Sequence, residues 1–199
     1  MDAFAWPISA CLLVLAIFLV LRFSFPDQIG GLLDRMTGMR VEVSAEGVAL
    51  EFMAKAVEEK EAAAVDRADL TATAAQIQGP VKVLWVDDSP LNNRYEAQAL
   101  RALGASIDFA TSNAEAITYA RSDRYDILIS DIGRPPPQGA TDGLDLPQRL
   151  SAAGALPPHV LYYVFKRDQP TTPEGHPVYD RPTALFHALA EAVAEVRAA

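Results

Sequence analysis

From residue 81 onward, short runs of consecutive apolar residues alternate with longer amphipathic segments. Two of these runs, VKVLWV and YDILIS, lack the strict polar and apolar alternation of a strand with one solvated face. Strands buried on both faces are typical of parallel sheets covered by helices on each side. The predicted strands span 81–86, 106–110, 125–130, 160–165 and 177–179, and the predicted helices span 90–103, 112–120, 144–150 and 183–197. This order predicts an α/β domain over residues 80–199.

Three acidic residues lie directly after two of the predicted strands. Asp87 and Asp88 follow the first strand, and Asp131 follows the third. In an open parallel sheet, ligand sites form at the carboxyl ends of the strands, near the point where the strand order reverses. Three carboxylates that meet there raise one another's pKa unless a hard divalent cation such as Mg²⁺ neutralises them. The pattern therefore indicates a Mg²⁺ site, where the cation would activate an aspartate toward phosphoryl transfer by shielding the negative charges that must approach each other.

Two segments of this region resemble the receiver domains of response regulators. LWVDDSPLNN is similar to the family's first strand with its acidic pair, here Asp87 and Asp88. YDILISDIGRP is similar to the third strand and its phosphoacceptor, here Asp131. The resemblance runs from Val81 almost to the end of the chain. It implies a flavodoxin-like, doubly wound parallel sheet of five strands, with Mg²⁺ held by the three aspartates and by the backbone carbonyl of Gly133.

The same resemblance implies partners and one further site residue. The phosphodonor would be a histidine kinase or a phosphotransfer protein, the output partner stays unknown, and a homo-oligomer is left open. Arg181, which precedes Pro182, stands where the family has a lysine followed by proline. Asp142-Gly143 is similar to the Asp-Gly pair that opens the third helix of the family, but it comes later because PPPQGAT lengthens the loop.

Two positions depart from the family pattern. Receivers carry a short hydroxyl at the end of the fourth strand, whereas this chain has Tyr162 and Tyr163 there. Arg181 keeps the positive charge of the lysine but differs in reach and geometry, and Lys166 is a second candidate cation. These departures favour an alternative, a phosphorylation-independent pseudo-receiver that acts as a protein-interaction module. A third reading is an enzyme on a flavodoxin-like sheet. A haloacid-dehalogenase phosphatase would have a second aspartate two residues after the nucleophile, and the presence of Gly133 at that position argues against this reading.

Residues 3–21 contain no charged side chain and match the hydrocarbon thickness of a bilayer when they form a helix. A cleaved signal peptide would carry a basic segment before a shorter apolar stretch, and neither is present. The basic residues Arg22, Arg35 and Arg40 follow the apolar stretch, which places the bulk of the chain in the cytoplasm. The sequence thus predicts a single-pass anchor over residues 1–25 in the inner, or cytoplasmic, membrane.

Residues 26–79 are predicted to connect the anchor to the α/β domain. Val41 and Val43, then Val48, Leu50 and Phe52, alternate with polar or small residues and predict a hairpin. Residues 51–78 are rich in alanine, glutamate and lysine and predict a solvated linker helix that Gly79-Pro80 ends. The formal net charge of −9, without clusters of lysine and arginine, argues against a nucleic-acid partner.

Overall fold

The computed structural model describes residues 44–61, 63–133, 142–164 and 171–199. The predicted membrane anchor and the first strand of the predicted hairpin lie outside these ranges. Within them, no helix is both long and apolar enough to cross a membrane. The described residues belong to one compact unit, Val43–Ala199.

Five parallel strands form one sheet in the order β2-β1-β3-β4-β5. This is the strand order of a flavodoxin-like sheet, the fold implied by the resemblance, and its topological switch point lies between β1 and β3. Val86 at the end of β1 is level with Ser130 at the end of β3. The strands are β1 (Val81–Val86), β2 (Ala105–Ala110), β3 (Ile127–Ser130), β4 (His159–Tyr163) and β5 (Val178–Tyr179).

Six α-helices are present in the described residues, four of which occupy the positions predicted for the α/β domain. A short 3-10 helix, Pro90–Asn93, precedes the first of these four. Ser112 is the N-cap of another, because its hydroxyl accepts the backbone N–H of Glu115 at 3.2 Å. The helices are α1 (Ala45–Glu61), α2 (Arg67–Ile77), α3 (Arg94–Ala102), α4 (Asn113–Ser122), α5 (Asp142–Ala152) and α6 (Pro182–Ala198).

The two faces of the sheet are covered by different helices. Because side chains alternate along a strand, Val83 and Trp85 of β1 lie on one face, and Leu84 and Val86 lie on the other. The face of Trp85 packs against α1, α2, α3 and α6, and the face of Leu84 packs against α4 and α5. Burial on both faces explains the consecutive apolar residues in the central strands β1 and β3.

The predicted second strand of the hairpin is wrong, because these residues belong to helix α1. Val48, Leu50 and Phe52 were predicted as the second strand of the hairpin, but they lie within α1 and are only partly buried. Leu50 and Phe52 pack against the main core from its edge. The buried face is instead formed by Ala49 and Met53, which are four residues apart and fully buried. The buried residues therefore recur with the period of a helix, and the alternation that predicted a strand does not mark a buried face.

The prediction of one solvated linker helix over residues 51–78 is also wrong. The segment 51–78 is divided between α1 and α2, and Asp66 caps α2 by accepting the N–H groups of Ala68 and Asp69. Leu70 and Ile77 of α2 are no more than 2% exposed and belong to the main core. The described residues of α1 and α2 are therefore part of the α/β domain, and the small alanine side chains allow the helices to approach closely.

Candidate functional site

Asp87, Asp88 and Asp131 meet at the carboxyl edge of the sheet. Asp87 and Asp88 follow β1, Asp131 follows the adjacent strand β3, and one carboxylate oxygen from each lies within 4.8 Å of the others. The three residues line a pocket of about 340 Å³. The other lining residues are Ser89, Asn92, Asn93, Gly133, Tyr163 and Val164. The structure thus brings together the three aspartates and Gly133, as the sequence indicated for a metal site.

Asp87 is the most deeply buried of the three acids, at 6% exposure. Its Oδ1 accepts the backbone N–H of Ser89 at 2.6 Å, and its Oδ2 accepts the Nδ2–H of Asn93 at 2.5 Å. Burial raises the pKa of Asp87, and the charge of Asp88 adds to this rise, although the two hydrogen bonds oppose it. Both oxygens are therefore held in place at the cost of removing a charge from water.

The donor set of this pocket fits Mg²⁺. The three clustered acids supply carboxylates, which are the hard oxygen donors that Mg²⁺ prefers, and the described lining residues include neither histidine nor cysteine. A divalent cation among them would also compensate the desolvated charge of Asp87. Asp131 is oriented at the rim by the backbone N–H of Gly133, which donates to its Oδ1 at 3.3 Å.

Gly143, at the start of α5, packs directly against the backbone of Asp131. Its N–H donates to the carbonyl of Ile132 at 3.3 Å, and its carbonyl accepts the hydroxyl of Ser130 at 3.2 Å. A Cβ at this position would overlap the carbonyl oxygen of Asp131 and lie 2.6 Å from the Cα of Ile132. The glycine of the Asp-Gly pair is therefore needed for α5 to approach the strand end that holds Asp131.

Tyr163 ends β4 beside the acidic pocket, in the position where the sequence lacks a short hydroxyl. Its ring contacts Trp85 edge to face, with centroids 6.2 Å apart. Its hydroxyl donates to Oε1 of Glu96 at 2.9 Å, and burial raises its pKa well above the ordinary value for tyrosine. The tyrosine therefore fills this corner of the pocket wall with a neutral ring whose hydroxyl is bonded to α3.

Arg181 does not line the acidic pocket. Its side chain is 65% exposed, its Nε lies 3.5 Å from Oδ1 of Asp180, and it is not among the residues that line the pocket. Lys166, the other candidate cation, lies outside the described residues. The structure thus does not bring Arg181 to the three aspartates.

Lys60 of α1 is the cation that the sequence did not indicate. Its Nζ lies 2.5 Å from Oε1 of Glu96 and donates to Oδ1 of Asn93 at 2.7 Å and to the hydroxyl of Tyr163 at 3.2 Å. The side chains of Lys60 and Glu96 are only 8% and 1% exposed. The one available signal was Glu96, which is spaced with the apolar Leu100 on a single helical face and therefore needs a buried partner.

Comparison with known proteins does not establish a family for this chain. No protein-family model matches the chain. A segment of 76 residues, 38% of this chain, is 33% identical to the gliding motility regulatory protein of Myxococcus xanthus, and it spans 9% of that protein.

Two solved structures show a distant similarity to this chain. The N-terminal domain of a response regulator/sensory box/GGDEF 3-domain protein from Carboxydothermus hydrogenoformans is 17% identical with a TM-score of 0.48, and the match covers 59% of this chain and 97% of that one. A CheY-like receiver domain protein from Methanospirillum hungatei is 16% identical with a TM-score of 0.47, and the match covers 60% and 98%. Likenesses this distant do not establish a function, and the fold assignment rests on the strand order.

Proposed function

We propose that this chain is a receiver-type signalling module in which Asp131 accepts a phosphoryl group while Asp87, Asp88 and Asp131 hold Mg²⁺. The observation that carries the proposal is the convergence of three carboxylates within 4.8 Å at the carboxyl edge of the sheet. The donor would be a phosphohistidine of a kinase or phosphotransfer protein, or a small acyl phosphate. The backbone carbonyl of Gly133, which lines the same pocket, would complete the protein's share of the metal ligands.

Each residue has a distinct part in the proposed transfer. A carboxylate oxygen of Asp131 attacks the phosphorus, a new O–P bond forms, and the bond from phosphorus to the leaving group breaks. Mg²⁺ would shield the negative charges that must approach each other. Asp87 is held for this task by Ser89 and Asn93, and Gly143 leaves room for the backbone of Asp131.

A labelling experiment tests the proposal. The full chain is incubated with acetyl phosphate with and without Mg²⁺, and the base-labile phosphate bound to protein is measured. We expect labelling that requires Mg²⁺ and is lost in Asp131→Asn, whereas Asp180→Asn, which alters a partly exposed aspartate paired with Arg181, is labelled normally. An unlabelled wild type, or equal labelling of Asp131→Asn, would disprove the phosphoacceptor role.

A phosphorylation-independent interaction module is the second candidate. It is favoured by Tyr163, whose hydroxyl is bonded to Glu96, and by the exposed position of Arg181. Backbone hydrogen exchange of the full chain with acetyl phosphate and Mg²⁺ separates the two candidates. An interaction module predicts no bound phosphate and no change in exchange at β4 and β5, and Mg²⁺-dependent labelling with a change there would reject it.

In this proposal residues 1–25 anchor the module in the cytoplasmic membrane, with the α/β domain on the side of the kinase. The support is the uncharged stretch 3–21 and the basic residues that follow it. The chain should stay with the membrane fraction after an alkaline wash, and a variant without residues 1–25 should be released. Equal release of both forms would contradict the anchor.

A further inference from the structure

The last turn of α1 places two charged side chains at the carboxyl edge of the sheet. Oε1 of Glu61 accepts the backbone N–H of Thr183 in the first turn of α6 at 2.8 Å. The adjacent Lys60 reaches Asn93 and Tyr163, both of which line the acidic pocket. The end of α1 is therefore bonded to the wall of the proposed metal site, although α1 precedes the whole sheet in sequence.

Lys60 sets the direction of the Asn93 side-chain amide. An ammonium group can only donate hydrogen bonds, so the amide must turn its Oδ1 toward Lys60. The Nδ2 then faces the opposite way and donates to Oδ2 of Asp87 at 2.5 Å. One amide thus connects the cation of α1 to the most buried carboxylate of the pocket.

Lys60 also acts on the pocket through its charge. It is paired with Glu96 in a buried setting, where both groups are screened weakly by water. Only the side-chain amide of Asn93 separates the ammonium group from the carboxylate of Asp87. A divalent cation bound by the three aspartates would remove the negative charge that attracts Lys60 and would itself repel the ammonium group.

We infer that Lys60 is a positioning residue that links the docking of α1 to the loading of the acidic pocket with a divalent cation. This inference rests on the proposed function, because it assumes that the pocket binds the cation. Docked α1 lowers the affinity of the pocket for Mg²⁺, and Mg²⁺ in turn loosens the last turn of α1, because a coupling between two binding events is reciprocal. The helix that leads from the N-terminal region is thereby a sensor of the state of the pocket.

Calorimetric titration of the full chain with Mg²⁺ tests the inference through two variants of one ion pair. Lys60→Met removes the positive charge and should tighten Mg²⁺ binding by about tenfold. Glu96→Gln removes the negative charge and should weaken binding by about fivefold, while Lys60→Arg should stay within about twofold of wild type. The matched control is Glu59→Gln, which breaks the exposed ion pair with Arg94 between the same two helices and should change the affinity by less than about twofold.

Charge coupling predicts opposite changes in Mg²⁺ affinity for Lys60→Met and Glu96→Gln. A merely structural role would weaken Mg²⁺ binding in both variants or leave the affinity unchanged. Hydrogen exchange of residues 57–61 supplies the reciprocal readout, and Mg²⁺ should accelerate it in wild type but not in Asp131→Asn. If Lys60→Met fails to fold, Glu96→Gln and the exchange measurement decide the question. Normal Mg²⁺ binding without these effects would overturn the inference alone, whereas no Mg²⁺ binding in wild type would overturn the proposed function with it.

Discussion

Replacing Met53 by alanine tests whether α1 belongs to the core of the domain. The side chain of Met53 is fully buried among residues of the main core cluster, although it lies 28 residues before the first strand, Val81. The substitution removes three heavy atoms from this core, which costs about 2.4 kcal/mol at about 0.8 kcal/mol for each buried group. The cavity left behind adds to this cost, so we expect a loss of about 3 kcal/mol, within the range of about 2–5 kcal/mol for such substitutions.

Urea unfolding of the full chain, followed by far-UV circular dichroism, measures this loss. The control is Glu58→Ala on the exposed side of α1, for which we expect a change of no more than about 0.5 kcal/mol. The transition of Met53→Ala should remain single and move to lower urea concentration. A loss below about 0.5 kcal/mol, or a separate early transition for α1, would refute the placement of this helix in the core.

Three further predictions concern the pocket and the helices around it. Burial gives Asp87 a raised pKa in the folded state, so without metal its desolvated charge destabilises the fold at neutral pH, and this cost is relieved as the pH falls through the raised pKa toward the ordinary value of an aspartate. The increase in Tm produced by Mg²⁺ should shrink over the same range, since the protonated acid no longer ligates, and thermal unfolding with and without Mg²⁺ measures both effects. Gly143→Ala should reduce acetyl phosphate labelling by at least about tenfold because its Cβ meets the backbone of Asp131, whereas labelling of Gly47→Ala within α1 should be unchanged. Arg197→Leu removes donors to the carbonyls of Gln76, Ile77 and Gln78 at the end of α2 and should cost about 1 kcal/mol in urea unfolding; an unchanged midpoint would show that this cap contributes nothing.

The sheet and the acidic pocket could be predicted because their signals are local. Apolar runs such as VKVLWV mark strands buried on both faces, and the residues after them fall at the carboxyl edge whatever the rest of the chain does. The position of Asp131 next to Asp87 follows from the strand order alone. A regular pattern was therefore sufficient to predict the fold and the clustering of the three aspartates.

The packing of α1 and α2 could not be predicted in the same way. Their buried faces consist largely of alanine, which has little hydrophobic contrast with the exposed residues, so the pattern resembled that of a solvated helix. The position of Lys60 beside the pocket could not be predicted, because one lysine among several is typical of surface charge. Its role depends on Glu96 and Asn93, which are brought to it only by the tertiary fold.

Locating the phosphoryl group within the chain tests the central claim most directly. After reaction with acetyl phosphate and Mg²⁺, borohydride reduction converts an acyl phosphate on aspartate to homoserine, which peptide mass mapping can assign to a single residue. We predict conversion at residue 131 and none at residue 87 or 88, because in the proposed function Asp87 and Asp88 hold only the cation, whereas Asp131 also attacks the phosphorus. Conversion at residue 87 or 88, or at no residue of the pocket, would contradict the account.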